Sequence, residues 1–247
     1  MVRAGTITAI PMDTPTDMAA IITPMTEQAD TRALLRLVTW LSPAFPVGAF
    51  SYSGGLEQAV HDGLITDASA LRRWLEALIR HGSSWNDAVL LAESYRACDD
   101  RRRLDAVREL AEALAGSRER HMETMLQGEA FLAAASHWPH PVLGTLVGAV
   151  AYPVAVGAVA GAHGTGLEPA VAAYLHATAS NLVSVAIRCG VTGQKHGVGV
   201  LADLEAAIAE TAESASSSTP DDLGSATIVA DISALRHETL YSRLFRS

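Results

Sequence analysis

Cysteine is scarce in this chain, and its scarcity bears on the cellular compartment. The 247 residues contain two cysteines, Cys98 and Cys189, which lie far apart and form no C-x-x-C unit. Because nothing in the sequence suggests a disulfide framework, the chain fits a reducing environment. We therefore expect a cytoplasmic protein.

Positive charge is also in short supply, since the formal net charge is -9 at pH 7. A surface that binds nucleic acid must be basic, so nucleic acid is not expected as a partner. Charged residues make up 18% of the chain, whereas hydrophobic residues make up 49%. This apolar content is enough for a sizeable core and excludes a wholly disordered chain.

Strand signals are nearly absent, because no sustained polar/apolar alternation and no Asn-Gly hairpin turn occur. Helical spacing recurs instead. Leu71, Trp74, Leu75 and Leu78 form one apolar stripe, and Asp67 precedes them as a typical N-cap. The sequence predicts an all-α fold, with a single-domain helical bundle of about ten helices.

Other residues indicate where further helices begin. The first of these helices should carry an apolar stripe of Leu34, Leu37, Val38 and Leu41. The predicted N-caps are Asp30, Ser84 (in a capping box with Asp87), Ser117 and Asp231.

One uncharged stretch, from Val142 to Ala160, is about long enough to cross a bilayer. It consists mostly of Ala, Gly and Val, lacks basic flanking residues, and is divided by Pro153. We expect two short buried helices here and no membrane span.

Composition divides the chain into three parts. Residues 1–29 are rich in Thr, Pro and Met, and they are predicted to form a flexible N-terminal tail. Residues 30–213 carry the helical pattern of the all-α domain. Residues 214–222 are Ser-rich and are predicted to be a linker. The tail that follows, to residue 247, mixes arginines with aromatics, a composition enriched at protein interfaces, and we expect it to fold when it binds a partner protein.

Motifs for catalysis are missing from the sequence. It contains no G-x-x-x-x-G-K-[ST], no H-E-x-x-H and no G-x-S-x-G. His137 and His140 are spaced like metal ligands, but the prolines that flank His140 favour a solvated turn. No catalytic, cofactor-binding or metal-binding residue is predicted. We expect a protein that is not an enzyme and that binds and positions other proteins.

The stretch SPAFPVGAFSYSGGLEQAV, residues 42–60, combines two prolines, three glycines and three aromatics. Prolines restrict the backbone and aromatics make good interface anchors, so a stiff loop that presents a binding surface is one interpretation. The other is a connector whose aromatics fill the core. The sequence leaves both open.

Residues 42–57 of this stretch resemble the signature of the UreF family of urease accessory proteins, S-P-x-F-P-x-G-x-F-x-Y/H-S-x-G-[LI]-E. Other segments resemble the family in the same order: DAVLLAE from Asp87, ETMLQG from Glu123, ASNLV from Ala179 and RHETLYSRLFR from Arg236. The resemblance covers residues 31–247. One loop departs from the family, because Lys195 and His196 replace a Thr-Asp pair and no proline precedes Gly193.

The resemblance implies an all-α, dimeric chaperone with no catalysis of its own. UreF proteins bridge a scaffold protein, UreD (also called UreH), and a GTPase, UreG. The assembly acts on apo-urease, where GTP hydrolysis is coupled to nickel insertion, and UreF is expected to gate the GTPase. Nickel and GTP are then handled by the partners, with no cofactor bound stably by this chain. A direct nickel carrier or conduit, and a helical enzyme with a cryptic pocket, remain as alternatives.

The loop and the resemblance together predict a set of residues that bind partners. They are Phe45, Pro46, Gly48, Phe50, Tyr52, Gly54, Gly55, Glu57, Arg188, Gly193, Gln194, Arg236, Tyr241, Arg243, Phe245 and Arg246.

Overall fold

The computed structural model describes residue 1 and residues 19–247, with side chains for residue 1 and from Asp30 onward. This part of the chain contains ten α-helices, three short 3-10 turns and no strand, which confirms the all-α prediction. The helices are α1 (Ala19–Trp40), α2 (Leu56–His61), α3 (Ala68–His81), α4 (Ser83–Arg96), α5 (Arg101–Ala113), α6 (Arg118–Ala135), α7 (Tyr152–Ala162), α8 (Leu167–Arg188), α9 (Gln194–Ser217) and α10 (Ile228–His237).

The centre of the bundle is the contact between α4 and α7. Helix α7 is almost entirely buried, and its glycines let the two backbones touch. A Cβ at Gly157 would lie 2.3 Å from the carbonyl oxygen of Leu91, and one at Gly161 would lie 2.4 Å from that of Tyr95. Neither distance is compatible with a side chain, so glycine is required at both positions for this close approach.

Helix α8 lies in the core and packs against α9 and α4. Its inward face is apolar and buried, with Val171, Leu175 and Val185 fully enclosed. Within the described part of the chain, α8 is the one helix whose length and composition would allow it to cross a membrane. Its contacts with α4 and α9 account for this apolar character as that of a core helix.

Two of the predicted N-caps are confirmed. The Asp67 carboxylate accepts the Ala70 N–H at 2.8 Å, and the Ser117 hydroxyl accepts the Arg120 N–H at 3.0 Å. Both side chains satisfy amide donors that the first turn of a helix leaves without a partner.

Two other predicted caps are wrong. Helix α4 begins at Ser83 with Gly82 as its N-cap, so the pair Ser84 and Asp87 forms no capping box. Helix α10 begins after Thr227, and Asp231 lies within its first turn, where it accepts the Ser225 hydroxyl at 2.8 Å. In the case of Asp87, an interior charge attracts the carboxylate inward, as described below.

Helix α1 begins at Ala19, so Asp30 lies inside this helix and does not cap it. The predicted apolar stripe is also wrong in part, because Leu34 and Val38 are exposed while Leu37 and Trp40 face the core. The prediction of a flexible tail over residues 1–29 falls mostly outside the described residues.

The Ala/Val-rich stretch forms one α-helix and not two. Its first part is a short 3-10 turn, Pro141–Gly144, followed by irregular chain. Pro153 occupies the first turn of α7 as predicted. The 3-10 turn ends at Gly144, and Gly148 adopts a positive φ of 87°, a conformation that interrupts a helix.

The Ser-rich stretch after residue 213 is fastened to the bundle. Helix α9 includes the first part of this stretch and ends at Ser217. The Arg96 guanidinium donates to the carbonyl oxygens of Ser216 and Ser218, and the Trp85 indole N–H donates to that of Asp222 at 2.9 Å. Through these contacts, the chain between α9 and α10 is held against α4.

Candidate partner-binding surface

The signature loop, residues 42–55, connects α1 to α2 and has a locally determined shape. The Ser42 hydroxyl accepts the Ala44 N–H at 3.0 Å, which tightens the turn at Pro43. Gly48 and Gly55 have positive φ angles of 72° and 80°. A Cβ at Gly55 would lie 2.6 Å from the backbone of Ala234, so glycine is what allows α10 to approach the loop.

The three aromatics of the loop point in different directions. Phe45 is buried against Phe131 and Trp138, with ring centroids 5.5 and 6.3 Å apart. Tyr52 is buried as well, whereas Phe50 is 67% exposed. Both interpretations of the loop therefore hold in part, since two aromatics fill the core and one is presented to solvent.

The C-terminal segment, residues 236–247, docks on this loop through its backbone. The Arg246 N–H donates to the Ser51 carbonyl at 2.8 Å, and the Ser53 N–H donates to the Ser247 carbonyl at 2.8 Å. The Ser53 hydroxyl donates to the same Ser247 oxygen. Loop and segment thus lie side by side as one unit.

Arg188, at the end of α8, joins the signature loop to the C-terminal segment. Its guanidinium donates to the Phe50 carbonyl at 2.8 Å and lies 4.2 Å from the centre of the buried Phe245 ring. Phe50, Arg188, Leu244 and Arg246 are all exposed and together form what we call the composite surface. It joins residues that are almost two hundred positions apart in sequence.

Beneath the composite surface, buried polar side chains hold the segment in place. The Glu57 carboxylate accepts the N–H groups of Leu244 and Phe245 at 2.7 and 3.1 Å. It also contacts the His237 ring at 3.0 Å. Glu57 was predicted to bind a partner, but the structure gives it a position inside the protein.

Two predicted arginines also have partners within the chain. Arg243 pairs with Glu119 of α6, and Arg236 pairs with Asp62 at 2.7 Å. Hydrogen bonding from Gln58 lowers the pKa of Asp62, and Arg236 contributes to the same shift. Both arginines are partly exposed, yet their guanidinium groups already have carboxylate partners.

The remaining predicted residues are exposed or lie in the signature loop. Tyr241 is fully exposed in the turn after α10. Gly193 and Gln194 are exposed at the start of α9, next to the exposed pair Lys195 and His196. Pro46, Gly48 and Gly54 shape the signature loop.

A cavity of about 340 Å³ lies between α4, α6, α8 and the C-terminal segment. Asp87, Arg120, Glu123 and Ser247 are among the residues that line it. Asp87 accepts hydrogen bonds from Arg120 and from the Tyr174 hydroxyl, the latter at 2.9 Å. Burial raises the pKa of Glu123, while the neighbouring Asp87 and Glu123 raise the pKa of Arg120 against the effect of its burial.

Among the described residues, no group of three or more His, Cys, Asp or Glu side chains is placed to hold a metal ion. His140 accepts the Val142 N–H through Nδ1 at 3.2 Å, as expected of a residue in a turn.

Sequence reasoning missed residues that hold the signature loop and the C-terminal segment from the bundle side. Glu119 and Asn181 were not singled out, although Asn181 donates to the Tyr52 carbonyl at 3.3 Å. His237 belongs to the C-terminal motif, but no role was predicted for it. Its position between Arg236 and Glu238, in a stretch with few apolar residues, is the one signal that could have marked it.

Comparison with known proteins assigns the family. The sequence model of the UreF family matches residues 65–205. The chain is 70% identical over 223 residues to the urease accessory protein UreF of Rhizobium meliloti (strain 1021), and 68% identical over 223 residues to that of Sinorhizobium medicae (strain WSM419). Each alignment spans 90% of this chain and 100% of the relative. Urease accessory protein UreF 1 of Brucella canis is 60% identical over 227 residues, which is 92% of this chain and 99% of the relative. The chain belongs to the UreF family of urease accessory proteins.

Proposed function

We propose that this chain is the bridging chaperone of urease maturation. It joins a scaffold protein (UreD, also called UreH) to a GTPase (UreG), gates that GTPase, and so supports GTP-dependent nickel insertion into apo-urease. It works in the cytoplasm as a homodimer, and its partners handle the nickel and the GTP. The composite surface is the observation that carries this proposal.

The composite surface has the chemistry of an interface anchor. Phe50 and Leu244 are 67% and 72% exposed, and the arginines Arg188 and Arg246 lie beside them. Aromatic and arginine side chains dominate binding energy at protein interfaces. The backbones of the signature loop and of the C-terminal segment are hydrogen-bonded to each other. Little conformational entropy is therefore lost when a partner docks. We assign this surface to the GTPase.

Helix α10 offers a second and separate surface. Ile228, Val229, Ile232 and Leu235 are all about half exposed or more, while Ala230, Ser233 and His237 face inward. An apolar outer face over a small and polar inner face is the reverse of an ordinary surface helix. We assign this face to the scaffold protein, so that one short C-terminal region contributes to both contacts.

The sequence alone suggested that the tail folds only when it binds the scaffold. In the structure the tail is already folded against α2, α6 and the signature loop. We therefore propose that the scaffold protein binds a tail that is already docked on the bundle.

Co-purification with the scaffold and the GTPase tests this assignment. Ile232→Asp should abolish recovery of the scaffold, and Phe50→Ala should abolish recovery of the GTPase while the scaffold is retained. Val147→Ala is the matched control, since Val147 is an exposed apolar residue that belongs to neither surface. Urease activation in cells that lack this chain should fail with the first two variants and succeed with the third. Full recovery of both partners by Ile232→Asp and Phe50→Ala would contradict the proposal.

A further inference from the structure

Three ionisable side chains are enclosed where the C-terminal segment meets the bundle. They are Glu57 of α2, Glu119 of α6 and His237 at the end of α10. The His237 side chain is completely buried, and the two carboxylates are about one-tenth exposed. The His237 Nδ1 lies 2.7 Å from Oε2 of Glu119, and its Nε2 lies 3.0 Å from Oε2 of Glu57.

Each of these two contacts needs a proton. A nitrogen and a carboxylate oxygen at this distance without a hydrogen between them would bring two lone pairs face to face. The three groups therefore hold two bridging protons when the segment is docked. The same groups in water at neutral pH hold one, since both carboxylates are ionised and the imidazole is neutral.

The number of bound protons is the same whether the second proton lies on the imidazole or on a carboxyl group. A doubly protonated imidazole with two carboxylates, and a neutral imidazole with one protonated carboxyl group, contain the same number of protons. Docking of the segment therefore takes up one proton from solvent.

The additional proton also completes the charge balance of the site. With it, the charges of Glu57 and Glu119 are matched by the protonated His237 and by Arg243, whose guanidinium contacts Glu119. Without it, one negative charge would remain unmatched in a buried site, which is strongly unfavourable.

Glu123, one turn further along α6 than Glu119, also faces the segment, where it accepts a hydrogen bond from the Ser247 hydroxyl at 3.0 Å and pairs with Arg120 at 3.5 Å. Two backbone amides, those of Leu244 and Phe245, donate to Glu57. Burial, together with the charge of Glu57, raises the pKa of the Cys189 thiol to about 11, so it stays protonated. Glu238, next in sequence to His237, accepts backbone N–H groups at the start of α6.

We propose that Glu57, His237 and Glu119 form a proton-dependent latch that holds the C-terminal segment on the bundle. The docked state binds one proton more than the undocked state, so docking is strengthened as the pH falls and weakened as the pH rises. The dependence begins above about pH 6.5, where a solvated imidazole loses its second proton. Each further pH unit shifts the opening equilibrium about tenfold. The latch is a property of the chain itself and holds whichever partner binds the composite surface.

Hydrogen exchange of the full-length protein between pH 6.5 and 8.5, corrected for the intrinsic pH dependence of amide exchange, tests the latch. The Leu244 and Phe245 amides should show an opening equilibrium that rises about tenfold per pH unit. Amides in the exposed first turn of α5, which can open without release of the segment, should show no such rise in the same samples. Opening of the segment that does not change with pH, or a segment that is unprotected at every pH, would overturn the proposal.

Glu119→Gln separates the latch from ordinary docking. The amide oxygen can accept from Arg243 while the amide N–H donates to a neutral His237 ring, so one bridging proton is no longer taken from solvent. The segment should stay protected and lose its pH dependence. The matched control is Glu112→Gln, since the largely exposed Glu112 faces His121 at 3.2 Å in a solvated pair. The control should keep the slope of the parent chain. An unchanged slope in Glu119→Gln would refute the latch, and if that variant fails to dock, the slopes of the parent and the Glu112 variant decide the question.

Discussion

The α4–α7 contact and the docked C-terminal segment are held by opposite kinds of interaction. Between α4 and α7, glycines bring two backbones into contact and the surroundings are apolar. At the segment, buried carboxylates, a histidine and an arginine replace hydrophobic packing, with Phe245 as the main apolar anchor. Apolar packing does not depend on pH, whereas contacts between ionisable groups do. The bundle is thus the permanent part of the molecule, and the segment is the adjustable part.

The largest effect is expected in the bundle. Gly157→Val would place a side chain 2.3 Å or less from the Leu91 carbonyl oxygen and force α4 and α7 apart. We expect the free energy of unfolding to fall by about 3 kcal/mol, measured by urea denaturation. Gly199→Ala is the control, because no atom lies within 4 Å of a Cβ there, and it should stabilise α9 by up to about 1 kcal/mol. Equal stability of the two variants would contradict the close-contact description.

The next effect should be confined to the segment. Glu57→Ala leaves the buried N–H groups of Leu244 and Phe245 without an acceptor. Docking of residues 236–247 should weaken by about 2 kcal/mol, while unfolding of the bundle changes little. Limited proteolysis measures the first quantity, and urea denaturation measures the second. Loss of both together would show that segment and bundle unfold as one unit.

A smaller effect on stability, but a clear effect on binding, is expected at the composite surface. Phe50→Ala should leave the free energy of unfolding within about 0.5 kcal/mol of the parent chain. Binding to the GTPase should weaken by about 2 kcal/mol, measured by calorimetry on the purified proteins. Phe45→Ala provides the contrast, because Phe45 is buried and its loss should destabilise the fold by about 3 kcal/mol. If the two variants behave alike, the division of the loop into inward and outward aromatics is wrong.

The smallest effect concerns acid stability of the bundle. The Arg103 guanidinium, 2.6 Å from Glu93, holds the pKa of that carboxyl below its usual value despite partial burial, and Arg96 adds to the shift. A carboxyl group whose pKa is lowered by folding stabilises the fold at neutral pH, and this contribution is lost as the pH falls through its pKa. Glu93→Gln should therefore lower the urea midpoint at pH 7 more than at pH 4. The exposed Glu205→Gln should show no such difference.

The sequence was sufficient for the elements that depend on near neighbours. Asp67 and Ser117 cap their helices because the partner amide is three residues away, and helix stripes such as that of α3 repeat within one element. Local chemistry of this kind is visible in a single sequence.

The sequence was insufficient wherever a distant partner decided the outcome. Asp87 was expected to cap α4, but Arg120 and Tyr174, from α6 and α8, attract its carboxylate inward. Glu57 was expected at a partner interface, yet its hydrogen-bonding partners lie 180 to 188 residues further along the chain. Leu34 and Val38 follow helical spacing, but spacing alone does not say which side of α1 meets the bundle.

The start of α9 has a practical consequence for mapping the assembly. Lys195 is exposed there, and it is the single lysine in the sequence. Helix α10 and the composite surface carry no lysine, so lysine-directed cross-linkers report on both surfaces only indirectly, from the start of α9. Carboxyl-directed or photoreactive reagents are needed to detect contacts at these two surfaces directly.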